Sequence, residues 1–413
     1  MNKPELLVPA SSLEVLKIAV IFGADAVYIG GEAFGLRAKA KNFSMEDMRE
    51  GIEFAHAHHV KVYVTANILA HNEDLAGVRE YFAELKELKP DALIISDPGV
   101  FVIAREICPE LDIHISTQAN NTNYGTFQFW HKLGAKRVVS ARELSLQEIG
   151  EIREHIPEDL EIETFIHGAM CISYSGRCLL SNYFTGRDAN RGACTHPCRW
   201  KYAVVEETRP GEYMPVYENE RGTYIFNSKD LCMVEHIPEL VQAGIDSFKI
   251  EGRMKTALYV ATVARTYRKA IDDYFISREQ YEKNMPWYLE QIVGCTYRQF
   301  TSGFFFGKPD EHTQIYDNNT YVKEYTYLGI VGEKTDKGYC IEQRNKFSVG
   351  EQIEVMKPGG ENVPVIVKSI RDAKGNEMES APHPKQELYI DLGQPLAKYD
   401  ILRRQEKEEQ ADE

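Results

Sequence analysis

The chain has 413 residues, 43% hydrophobic and 11% aromatic, enough apolar material for a full core and inconsistent with a disordered protein. A net charge of −15 counts against general affinity for nucleic acid, and the apolar runs are too short to cross a bilayer. The opening MNKPELLVPA lacks the apolar stretch of a signal peptide, so a cytoplasmic protein of two or three domains is expected.

Taken in order, ELLVPA reads as a strand before the helical SLEVLKIAVIFG, and AVYIGG as a strand before SMEDMREGIEFAHAHH. KVYVTANIL precedes EDLAGVREYFAELKEL, ALIISD precedes PGVFVIAREI, and DIHISTQ precedes a helix over 124–134. RVVSAR is followed by SLQEIGEIREHI, then EIETFIHG, and finally SFKIEGR before ALYVATVARTYRKAIDDYF. The strands are nearly continuously apolar, as strands covered on both faces are. Eight of them alternating with helices predict an α/β fold, a TIM-barrel-like (β/α)8 domain over 1–275. A loop rich in cysteine interrupts it at 169–222, where a helix would be expected. Residues 276–306 form a helical bridge, and the short alternating runs of 307–405 predict a small antiparallel β-barrel before an acidic tail at 406–413.

In a (β/α)8 barrel the loops after the strand C-termini build the active face. That rule brings the cysteine loop, HISTQANNTN and KIEGRMK to one rim, with His114, Gln118, Glu163, His167, Glu251 and Arg253 at or near strand ends. The loop holds Cys171, Cys178, Cys194 and Cys198, separated by six, fifteen and three residues, and Cys232 follows in FNSKDLC. Clustered thiols in a reducing compartment suit a zinc or iron–sulfur site, though only Cys194 and Cys198 have zinc-knuckle spacing. Spacing alone fits a metal site or buried structural cysteines. Arg177, Arg187, Arg191, Arg199 and Lys201 face only Asp188 there, a local basic patch on an acidic protein. The sequence has no HExxH helix, GxSxG elbow, GxxxxGK loop or GxGxxG turn.

The stretch ETFIHGAMCISYSGRCLLSNYFTGRDANRGACTHPCRW, with PELLVPA, GADAVYIGG, ISTQANNTN and FKIEGRMK, resembles the collagenase-like peptidase U family, the U-32 peptidases, over almost the entire chain. The terminal β-region is similar to that family's C-terminal domain. The resemblance implies a 4Fe-4S cluster on Cys171, Cys178, Cys194 and Cys198, with Cys232 as an alternative ligand. It further implies prephenate-dependent hydroxylation of tRNA wobble uridine to 5-hydroxyuridine, with tRNA and a related family-member subunit as partners. Prephenate carries two carboxylates, so Arg37, Arg177 and Arg253, together with Gln118, are expected to bind substrate. Tyr174, Tyr183 and Trp200 are candidates to stack on an extruded base. Two other readings compete. One is a cysteine-dependent peptidase using Cys178 or Cys194 with His167 or His196; the other is a non-catalytic RNA-binding or assembly partner.

Overall fold

The computed structural model describes residues 2–31, 43–171, 174, 178–187, 189, 193–199, 203–205, 213–215, 229–295, 297, 299–307 and 324–406. Strands β1 (Glu5–Pro9), β2 (Ala26–Gly30), β3 (Lys61–Ala66), β4 (Ala92–Ile95), β5 (Asp112–Ile115), β6 (Arg137–Val139) and β7 (Glu161–Ala169) pair in sequence order, all parallel. A hairpin of β8 (Ala203–Val205) and β9 (Tyr213–Pro215) follows, then β10 (Asp230–Cys232), β11 (Ser247–Ile250) and β12 (Phe300–Thr301). Because β11 pairs in parallel with both β1 and β7, the eight strands close into the expected barrel.

Each barrel strand is followed by a helix: Leu13–Ile21, Met45–Ala57, Leu75–Leu88, Pro98–Ile107, Tyr124–Lys132, Leu146–His155, Ile237–Gln242 and Ala257–Ile276. The sequence starts these helices firmly. Ser12, Ser44, Asn123 and Thr256 accept a backbone N–H from their own first turn, and Ser145 with Glu148 forms a reciprocal capping box. Asp97 caps two backbone N–H groups ahead of Pro98, whose fixed φ suits the first helical position. The helix after β7 is only postponed: Ile237–Gln242 comes beyond the cysteine insertion.

One core layer lies between strands and helices, and a second lies inside the barrel. Leu7, Ala26, Tyr28, Tyr63, Ala92 and Ile94 line the interior from β1 to β4. The opposite wall is charged. Glu163 and His114, expected near the rim, lie within the barrel instead, 0% and 3% exposed. The cause is the length of β7, which runs six residues past Glu163 to Ala169, and the inward alternation of every second residue. The segment 276–306 is more than a bridge: the helix Arg278–Val293 packs on the barrel, with Tyr281 Oη donating to Val234 O at 2.7 Å, and β12 pairs with β10.

The C-terminal part is an eight-stranded antiparallel sheet with its own core. Its segment Asn362–Ile366 pairs with Gln352–Met356, while Ser369–Asp372, two residues further on, pairs with Glu387–Asp391 at the other end of the ladder. One bent stretch of chain thereby joins both ends and curls the sheet into a barrel. Arg265 on the helix Ala257–Ile276 docks this part by donating to Lys357 O at 2.9 Å and Asn362 Oδ1 at 3.0 Å. The tail from 407 onward lies outside the described residues.

Candidate active site at the barrel mouth

The charged wall begins at the N-terminal end of the strands. Arg137 opens β6 and donates to Glu5 at 2.6 Å, to Glu161 at 2.7 Å and to Glu163 at 3.1 Å. Tyr63 and Ser247 complete the shell of Glu5, at 2.7 and 3.2 Å. Burial opposes the charge on Glu5, but Arg137 overcomes it and holds the carboxyl below its usual range.

Nearer the mouth, Lys249 is enclosed. Its ammonium bonds Glu163 at 2.5 Å and sits over the rings of Tyr28 and Phe165, at 4.6 and 5.4 Å. Arg142 stacks on the same Phe165 at 3.8 Å, donates to Ala169 O at 2.7 Å and pairs with Glu251 at 3.3 Å. Arg253, almost fully buried, donates to Thr65 Oγ1 at 2.9 Å. Three cations therefore surround the C-terminal mouth on aromatic supports, where the desolvated cation–ring contact is strongest. Arg253 and Glu251 lie at the rim as the barrel rule predicts; Arg142, two residues past Ser140, was overlooked although it ends the strand-exit sequence RVVSAR.

The same end of the barrel also carries a cluster of uncharged groups tied to Ser116. Asn67 follows β3 and donates to Ser116 Oγ at 3.2 Å; Gln118 uses its backbone N–H to reach the same oxygen at 3.3 Å. Asn121 donates its amide to Ser116 O and Val139 O, at 3.1 and 2.9 Å. Gln118 thus stands where it was expected, half-buried beside the mouth. Asn67 and Asn121 were not singled out, although Asn67 lies in KVYVTANIL, whose strand ends at Ala66, and Asn121 in HISTQANNTN, the loop assigned to the rim.

The route from β7 into the cysteine loop passes through Gly168, at φ +109°, where an added Cβ would lie 2.7 Å from Glu251 O. Only glycine permits this close approach of the loop to the rim. His167, just before it, is fully buried rather than loop-facing. Its Nδ1 lies 3.3 Å from Tyr267 Oη, which also donates to Ile166 O at 3.0 Å and approaches Cys232 Sγ at 3.7 Å. Burial, only partly offset by Asp230, pushes its imidazole down to about 3. A base so weak, held inside a strand–helix contact, does not suit the activation of a loop thiol.

That shift has a sign that can be measured. The unfolded chain binds a proton at His167 near pH 6.5, whereas the folded chain resists it down to about pH 3. The stabilising effect is complete above pH 6.5 and is lost as pH falls through that window. Between pH 6.5 and 4.5 the loss from this one group amounts to about 2–3 kcal/mol. Urea unfolding at the two pH values is expected to show the drop, and His167→Gln to make it smaller.

None of the eight cysteines is in a disulfide. Cys171 and Cys194 are exposed, and Cys178 and Cys198 half-buried. Four thiols in one loop, none of them in a disulfide, have the donor chemistry that a soft metal group requires. Among the described residues, however, no three His, Cys, Asp or Glu side chains stand together in a metal-binding arrangement. Cys232 differs from the loop thiols: it sits on β10, paired with His167, and burial pushes its thiol up to about 11. His196, at φ +55°, has its Nδ1 4.0 Å from Cys194 Sγ. Tyr183, 82% exposed, and Tyr174 present their rings to solvent. Arg37, Arg177 and Trp200 lie outside the described residues.

A closed parallel barrel with a thiol-bearing loop at its mouth and a β-barrel docked behind it defines a two-domain (β/α)8 protein. Residues 11–315 match the model of peptidase family U32, and 323–403 match the family's C-terminal domain. The chain is 42% identical over 405 residues to tRNA hydroxylation protein P1 of Bacillus subtilis (strain 168), covering 98% of this chain and 95% of that protein. It is 39% identical to tRNA hydroxylation protein P of Escherichia coli (strain K12), covering 98% and 97%. The 23S rRNA 5-hydroxycytidine C2501 synthase of the same E. coli strain is 38% identical over 271 residues, 66% of this chain and 40% of that one. The chain belongs to peptidase family U32. Among the described residues, no helix is long and apolar enough to cross a membrane.

Proposed function

We propose that this chain is an RNA-modifying enzyme that hydroxylates the wobble uridine of tRNA to 5-hydroxyuridine, with prephenate as co-substrate. The observation that carries this reading is the near-full-length likeness to two proteins named for tRNA hydroxylation. The mouth is suited to the task. Arg142 and Arg253 offer planar donors for carboxylates, and solvent-exposed Tyr183 offers a face on which an unpaired base can stack. Arg187, exposed in the same loop, adds phosphate affinity.

Cys171, Cys178, Cys194 and Cys198 would hold a 4Fe-4S cluster, and Cys232, already engaged with Tyr267, stays outside it. When bound, such a group supplies electron transfer or Lewis acidity. Substrate selection and orientation fall to the arginines, the carboxamides and the loop aromatics. The peptidase reading rests on Cys194 and His196; a separation of 4.0 Å exceeds the reach expected of a nucleophile and its base.

The test is nucleoside analysis of tRNA from a strain lacking this protein. Restoring the chain is expected to bring 5-hydroxyuridine back, and withholding prephenate synthesis to abolish it. A complemented strain whose tRNA still lacks the modified nucleoside would overturn the proposal.

A further inference from the structure

Three side-chain oxygens at the mouth have no hydrogen-bond partner among the described residues: Asn67 Oδ1, Gln118 Oε1 and Asn121 Oδ1. Asn67 is 7% exposed and Asn121 0%, so bulk water does not explain them. Buried acceptors almost always find a donor, and three in one neighbourhood mark a place where a donor arrives. They do share a neighbourhood, because all three residues are tied to Ser116, through its hydroxyl or its carbonyl. The orientation of Asn121 is not arbitrary either. Its amide nitrogen faces two backbone carbonyls, which only the N–H₂ end can satisfy, so the oxygen is the end left over.

We propose that this carboxamide cluster reads the base edge at the barrel mouth: Gln118 and Asn67 offer the acceptor that receives the imide N–H of an extruded uracil, and Asn121 fixes the loops behind them. This deepens the RNA reading above and rests on it. The charge around the site selects among the groups that could approach these carbonyl oxygens. A monovalent cation is disfavoured by Arg253, bonded to Thr65 two residues before Asn67, and by Lys249 and Arg142 around the same mouth. A neutral imide fits both features. Its N–H meets one carboxamide oxygen, and the carbonyls flanking it are acceptors suited to a mouth lined by cations. Cytosine places a lone pair at the same ring nitrogen, opposite the acceptors, and is rejected. The mouth therefore distinguishes the two pyrimidines before any chemistry occurs.

The test uses the full chain and three anticodon stem-loop RNAs that differ only at the wobble position, carrying uridine, 3-methyluridine or cytidine. In fluorescence anisotropy the uridine RNA is expected to bind about tenfold more tightly than either of the others, the discrimination of one well-placed hydrogen bond. Gln118→Met is expected to erase the preference by weakening the uridine RNA alone, with the slope of affinity against salt unchanged for all three RNAs. Asn67→Ala serves as the second variant, and Asn121 is left intact because its amide clamps the loops after β5 and β6. Equal binding of the three RNAs by the wild-type chain would overturn the proposal. A preference that survives both variants, or a Gln118-dependent rise in melting temperature with potassium ion, would overturn it too. The function itself is scored separately by 5-hydroxyuridine in complemented cells. If the nucleoside is restored and the three RNAs bind alike, only the carboxamide reading fails; if it is not restored, the RNA-hydroxylase reading fails.

Discussion

Arg137→Met is expected to destabilise the chain by about 3–5 kcal/mol, read as a lowered midpoint in urea unfolding. The substitution removes the cation shared by Glu5, Glu161 and Glu163 without removing the carboxylates. Glu163 is fully buried and keeps only Lys249 as an ionic partner in the variant, while Glu5 keeps Tyr63, Ser247 and a distant Lys61. Taking one partner from a buried ionic network costs more than the network contributes as a whole, because the remaining charges stay desolvated. The double variant Arg137→Met with Glu163→Gln is therefore expected to recover part of the loss, a coupling that a simple packing defect would not show. The effect should also depend on pH. Glu5 is held ionised below its usual range by Arg137, so its contribution is present above the unfolded carboxyl pKa and disappears as pH falls. Below that window wild type and variant should converge. No converging midpoints at acid pH would mean that Arg137 acts through packing alone.

This network also shows where the sequence was legible and where it was not. The eight strands were readable because AVYIG, KVYVTA and ALII are apolar on both faces, the pattern imposed by helices outside and a filled interior within. The charged wall was hidden in the same pattern. Along β7 the inward positions are Glu161, Glu163 and Phe165, before a bulge turns His167 outward to the helices, and a carboxylate in a strand reads as exposed or as a rim residue when its partner is unknown. Its partner Arg137 lies 26 residues away, a pairing set by barrel closure and not by any local motif. Strand β10 was unreadable for a similar reason. Asp230–Cys232 is three residues long and exists because it pairs back, antiparallel, on the end of β7. The carboxamides follow the same logic: ISTQANNTN is conspicuously polar, but only the bonds to Ser116 reveal that Gln118 and Asn121 share a site with Asn67, roughly fifty residues earlier.

The thiol loop offers the second large effect, because it separates folding from metal binding. Cys171 and Cys194 are exposed, so replacing either by alanine should alter the stability of the iron-free chain by no more than about 0.5 kcal/mol. Iron content should respond quite differently. Protein purified without oxygen is expected to be brown and to carry about four irons per chain, and each of Cys171→Ala, Cys178→Ala, Cys194→Ala and Cys198→Ala to lose most of them. Cys232→Ala is the discriminating control. Its thiol lies against Tyr267 in the contact between β10 and the helix Ala257–Ile276, so its loss should lower the melting temperature while iron is retained. The opposite result, iron lost with Cys232 and kept without one of the four, would transfer a ligand from the loop to the barrel. Nucleoside analysis of the same variants then links the metal to the reaction: 5-hydroxyuridine should vanish with the iron and persist in Cys232→Ala. Were the modification to survive in iron-free variants, the loop thiols would have a structural role only, and the arginines and carboxamides of the mouth would have to support hydroxylation without them.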